Sequence, residues 1–223
     1  MPFSESPQAP DFEPRWPVAL AIVAAMLLLA VLPKHIRLLP IWIAYVIGVA
    51  VLSPIGAVWL TSANARWLRV ERMVTLIFFA VVTFLNIGNL GNMIQAMVNR
   101  SRETSGLLLL ESSVALWVTN ILTFSLLYWQ MDRGGPEARV KVAGTRPDWL
   151  FPQEGAPAGD VPQGWKASFV DYLFLSYSTA TAFSTADVMP LTSRAKMLMM
   201  LESAISLVTI LIVAARAINV LGN

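Results

Sequence analysis

Four polar side chains share one face of the last apolar run of this chain: Glu202, Ser206, Thr209 and Arg216. At 100° per residue of a helix they fall within about 80° of one face. An acid nine residues into such a run is costly in hydrocarbon, and acids placed there bind protein partners or serve ions and protons. Two roles are therefore open for Glu202. It accepts hydrogen bonds from a preceding half-helix and holds the loop between them in place, with Ser206 beside it, or it attracts ions and titrates. Just upstream, residues 178–190 read STATAFSTADVMP, with hydroxyls at Thr179, Thr181, Ser184 and Thr185 and an acid at Asp187. Hydroxyls and carbonyls can replace the water of a passing cation, and a ring of acids attracts it. A third set lies in FLNIGNLGNMIQ, with Asn86, Asn89, Asn92 and Gln95 around Gly88 and Gly91. A three-residue step drifts by about 60° on a helix, so these amides sweep across half of it. Interhelical packing glue and the lining of a hydrated path are both open to them.

Other chemistry is thinly represented. The chain has no cysteine and one histidine, His35, which sits in a short turn between apolar runs. That leaves no zinc ligand set and no Ser-His-Asp arrangement. No glycine-rich phosphate loop ending in Lys-Ser/Thr appears. The methionines cluster only at Met197, Met199 and Met200, where packing suffices. Neither an enzyme nor a cofactor or metal site is expected, and a net charge of +2 is too small to imply a nucleic-acid partner.

The elements that would carry these residues follow from composition. Of 223 residues, 56% are hydrophobic and 13% charged, against about 25% charged in soluble domains. Mean hydropathy is +0.61. Apolar runs reach the roughly 20 residues that cross a bilayer, so the expected partner is lipid and the fold an all-α membrane protein. Residues 1–16, acidic and proline-rich, read as a flexible tail and not as a signal peptide. Residues 17–131 form a four-helix membrane domain, with runs at 17–32, 41–60, 73–98 and 106–131 and a polar break with Arg66, Arg69 and Arg72. Pro54 and Gly56 predict a kink in the second run. Residues 132–168 are a polar Gly- and Pro-rich loop with no core of its own. Residues 169–183 are apolar but too short to span, and they predict a re-entrant half-helix before the final helix at 193–221. The count is five transmembrane helices plus one re-entrant pore half-helix. Non-helical backbone at membrane depth persists only when buried in protein or bordering water, so a pore loop is already suggested.

Residues 171–221, from DYLFLSYSTATAFSTADVMP to LESAISL and VAAR, resemble the pore domain of the two-helix ion-channel family within the potassium-channel superfamily. That family reads D-x-L-Y-F-S-x-x-T-x-T-T-V-G-Y-G-D-I-x-P, then L-E-A-L-I-G-L and V-A-R. Asp171, Leu173, Ser176, Thr179, Thr181, Asp187 and Pro190 stand in register, as do Leu201, Glu202, Ile205, Leu207, Ala215 and Arg216. The match is gapless over about fifty residues, under a quarter of the chain. The whole layout is similar to bacterial multi-pass inner-membrane proteins with a channel-like C-terminus, which implies a plasma-membrane or inner-membrane location. The resemblance implies a homotetramer, monovalent cations as the passing species, and a filter at Thr181, Ala182, Phe183, Ser184, Thr185, Ala186 and Asp187. It also places Glu202 behind that filter.

The filter departs from the family's pattern. Ser184 and Ala186 replace both glycines, and Ala182 replaces a threonine. The left-handed conformations that glycine adopts freely cost a side-chain-bearing residue roughly 1–2 kcal/mol each. Three readings stay open: a wider pore lined by Ser184 and Thr185 with Asp187 as an acidic ring, a closed plug, or a packed connection. Ser206 stands where the family has a hinge glycine. The functional expectation is a cation channel of non-standard selectivity or a non-conducting relative. A small-molecule transporter and a membrane scaffold are the alternatives. Orientation is contested. The pore-loop side holds 11 of the 16 Lys and Arg, which the positive-inside rule places in the cytoplasm, whereas the channel resemblance places it outside.

Overall fold

The computed structural model describes residues 14–34, 36–60, 65–98, 106–141, 146–157, 159–162, 164–182 and 187–221. Helix α1, Trp16–Val31, opens on Pro17 in its first turn, where the missing N–H costs nothing. It stops at Leu32, whose ψ of 135° is the extended conformation imposed by Pro33. The turn is closed by Ile36 and Arg37 N–H groups donating to the Pro33 carbonyl at 3.0 and 2.9 Å. Helix α2, Ile41–Leu60, returns alongside α1 and continues through Pro54 as one helix. Helix α3 spans Ala65–Val98, beginning eight residues before the expected start. The Arg66–Arg72 stretch is thus helix and not a break. Its last two residues make tertiary contacts: Glu71 pairs with Arg15, and Arg72 Nη1 donates to the Gly134 carbonyl at 2.7 Å.

Helix α4, Gly106–Met131, has the bounds of its apolar run. From Thr119 to Gln130 every residue but Leu122 is buried, because α1, α3, α6 and α7 all pack on it. Its polar side chains are tolerated there by bonding back to their own helix. Ser112, Ser113, Thr119 and Thr123 donate to the carbonyls four residues earlier at 2.6–2.7 Å. After Met131 the chain turns sharply through Arg133, Gly134 and Gly135, with φ of 53°, 82° and 99°. At Gly135 an added Cβ would lie 3.0 Å from the Gln130 carbonyl oxygen, so the bend needs glycine for space as well as φ.

The polar segment then forms a short helix α5, Pro136–Lys141, a strand β1, Trp149–Leu150, and a 3-10 turn at Pro152–Gly155. It has no core separate from the helices. Instead Trp149 and Phe151 enter the same buried cluster as Tyr128, Trp129 and Tyr172. Helix α6, Phe169–Ala182, has 14 residues, and Ser168 caps it by offering N–H and Oγ to Asp171 Oδ2 at 2.7 and 2.8 Å. Strand β2, Met189–Pro190, pairs antiparallel with β1 in the register Trp149↔Pro190 and Leu150↔Met189. Helix α7, Ser193–Leu221, closes the chain.

Among the described residues, three helices are long and apolar enough to cross a membrane, over Arg69–Met97, Leu107–Gly134 and Ser193–Ala215. Two more, Trp16–Val31 and Ile41–Ala57, are apolar but shorter. Of the five expected spans, three therefore meet the length and composition of a crossing helix.

Candidate functional site

Glu202 is fully buried on α7. Its carboxyl is met from two sides by hydroxyls. Tyr128 Oη of α4 donates to Oε2 at 2.5 Å, and Ser176 Oγ of α6 reaches Oε1. Ser176 Oγ also lies 2.8 Å from the Ile121 carbonyl of α4. One turn on, Asn120 Nδ2 of α4 donates to Ser206 Oγ at 2.9 Å and to the Glu202 carbonyl at 3.2 Å. Ser203 Oγ faces the Thr179 carbonyl at 3.4 Å, and Thr209 Oγ1 bonds back to Ile205 at 2.8 Å. A buried acid is thus held by neutral hydroxyls from two helices, the arrangement a buried polar group requires.

These contacts also fix direction. Ser176 meets residue 202 and Thr179 meets residue 203, so later residues of α6 meet later residues of α7, and the two helices run parallel. At 1.5 Å per residue α6 is about 21 Å long, and Glu202 lies about 14 Å into α7. Both helices begin at the end that carries Asp132, since Tyr172 Oη donates to Asp132 Oδ2 at 2.7 Å and Leu191 N–H to the Asp148 carbonyl at 2.8 Å. The link between them leaves α6 at its far end and rejoins β2 at the near one.

Of the filter residues, Phe183, Ser184, Thr185 and Ala186 lie outside the described residues, as does the side chain of Ala182. Thr181 is exposed at the far end of α6, with Oγ1 donating to the Tyr177 carbonyl. Asp187 is exposed where the chain approaches β2, and Val188 beside it is buried. The structure brings Glu202 and Ser206 together through Asn120, while Thr181 and Asp187 stand at opposite ends of the link.

Around β2 lies a second polar cluster. Asp148, fully buried, takes Arg194 Nε at 2.6 Å on Oδ1 and Arg194 Nη2 at 2.5 Å on Oδ2, and Thr192 Oγ1 adds 2.6 Å to Oδ1. Its own N–H donates to Asp132 Oδ1 at 2.7 Å, with Trp149 N–H at 3.4 Å. Arg133 pairs with Glu154. Arg139 donates to the Trp129 and Asp132 carbonyls at 2.8 and 3.2 Å and lies over the rings of Trp129 and Tyr172. None of these residues stands out in the sequence. Tyr128, Asn120 and Asp148 have only one local sign, a polar group next to or inside an apolar run.

The amides of α3 are placed plainly. Asn89 Oδ1 accepts Leu38 N–H at 2.7 Å, and Asn92 Nδ2 donates to the Ile36 carbonyl at 3.1 Å, so both hold the α1–α2 turn. Asn86 Nδ2 donates to the Leu116 carbonyl of α4 at 3.3 Å. Its Oδ1, with Thr83 Oγ1 on the same helix, is buried without a partner among the described residues. Gln95 is exposed. No protein-family model, curated protein or solved structure matches the chain.

Proposed function

We propose that this chain is a multi-pass membrane protein of the channel type, with α1, α2, α3, α4 and α7 crossing the bilayer and α6 entering it as a half-helix. Several copies, four by the resemblance, assemble around a path for monovalent cations whose selectivity differs from that of potassium channels. The observation that carries this reading is the parallel course of α6 and α7, with α6 too short to cross. A chain that enters, turns and leaves on the same side leaves irregular backbone at depth, and such backbone needs protein or water around it. Two features support the reading further. The C-terminal end of a helix carries partial negative charge, which favours cations at the foot of α6. Val170, Phe174 and Tyr177 line one exposed face of α6, a face that neighbouring copies would cover.

The test is ion flux from liposomes reconstituted with purified protein, together with native mass. The expected result is a fourfold assembly that passes K⁺ and Na⁺, with Asp187→Asn lowering the flux severalfold by removing the acidic ring. A fourfold assembly silent at all voltages and pH values sinks conduction and leaves a non-conducting relative. A monomer sinks the shared path altogether.

A further inference from the structure

The polar segment between α4 and α6 is tied to the helices at residues 148–150. There a single residue gathers three elements. Asp148 holds the start of α7 through both nitrogens of Arg194 and through Thr192. Its carbonyl takes the Leu191 N–H, directly after β2. Its N–H rests on Asp132 at the end of α4, and the other oxygen of that carboxyl takes Tyr172 of α6. Trp149, next to it, is buried and donates Nε1–H to Met199 Sδ of α7 at 3.2 Å. Planar, bidentate pairing of arginine with a carboxylate fixes orientation as well as distance. A buried acid released from such a pair has no water to turn to.

We infer that Asp148 is a positioning residue: through the β1 strap it sets where the chain from Asp187 to Thr192 lies against α7. A strand of two residues, one of them proline without an N–H, cannot hold its own place by ladder bonds. The strap supplies the missing contacts, and Asp132 and Tyr172 refer them back to the helices that flank the candidate filter. The placement of this segment stands on the contacts alone. Its effect on ion passage rests on the pore reading above.

The experiment exploits the absence of cysteine in the chain. A spin label on Asp187→Cys in liposomes reports the motion of that residue, and bi-ionic K⁺/Na⁺ reversal potentials report selectivity in the unlabelled protein. Asp148→Ala should at least double the mobile fraction of the label and shift the reversal potential, while helical circular dichroism stays within a tenth of the parent. Arg194→Gln guards against a folding failure, because its side chain is 56% exposed and leaves no cavity. It should move both readouts in the same direction, and Arg194→Lys should move them less. Unchanged label mobility in both Asp148→Ala and Arg194→Gln overturns the inference. Absence of flux in the parent sinks the pore reading, and label mobility then decides the positioning role by itself.

Discussion

Remove the Glu202 carboxyl and the buried Tyr128 Oη loses its acceptor, whereas Ser176 Oγ keeps the Ile121 carbonyl. An unsatisfied buried polar group costs about 1–3 kcal/mol, so Glu202→Ala should lower the thermal midpoint of the purified protein in detergent by several degrees. Glu202→Gln should stay close to the parent. Its amide offers an acceptor oxygen on one side and a donor NH2 on the other, and a hydroxyl can answer either. Equal losses in the two variants would mean that the negative charge matters, which is the ion-serving role for this residue. Asn120→Ala removes two bonds to α7 at once and should cost about 1–2 kcal/mol on the same scale.

Helix α3 illustrates what a whole element is for. Its far half presents Asn89 and Asn92 to the α1–α2 turn, and Gly88 lets that turn approach. A Cβ at Gly88 would lie 2.8 Å from Leu38 Cδ2, whereas one at Gly91 meets nothing within 4 Å. Gly91→Ala should therefore leave stability unchanged or raise it by up to about 1 kcal/mol, the helix-propensity gain. Gly88→Ala should gain less, since the end of the Leu38 side chain must move. Gly88→Leu should lower the thermal midpoint where Gly91→Leu does not, because only the former pushes the turn away from Asn89. Melting curves of the four variants check the order.

At the scale of the molecule, one end collects most of the charge. Arg15 with Glu71, Arg133 with Glu154 and Arg194 with Asp148 all sit at the end where α1, α3, α6 and α7 begin and α4 finishes. Of these, Arg194 with Asp148 ties the polar segment to the start of α7, so which side of the membrane this end faces matters for anything that approaches it. The channel resemblance places it outside. Asp160→Cys, on the exposed part of that segment, should then be modified by an impermeant maleimide in intact cells. Modification only after lysis would give the orientation demanded by the 11 basic residues on that side.

The run lengths of the sequence sufficed for most of the helices. The bounds of α4 and α7 and the start of α6 coincide with apolar runs and with the Ser168–Asp171 cap. That follows because a backbone in an apolar setting must bond within its own segment, which makes long apolar runs helical wherever they pack. The acid at Glu202 and the amides of α3 were visible for the same reason, as polar types where apolar ones are expected. Only the tertiary structure decided their partners. Tyr128 lies 74 residues from Glu202, Asp148 lies 46 from Arg194, and Tyr172 lies 40 from Asp132. The early start of α3 likewise depends on Arg15 and Gly134. A side chain's partner across such distances is set by which helix faces meet around α4, and packing of that kind leaves no periodic trace in the chain itself.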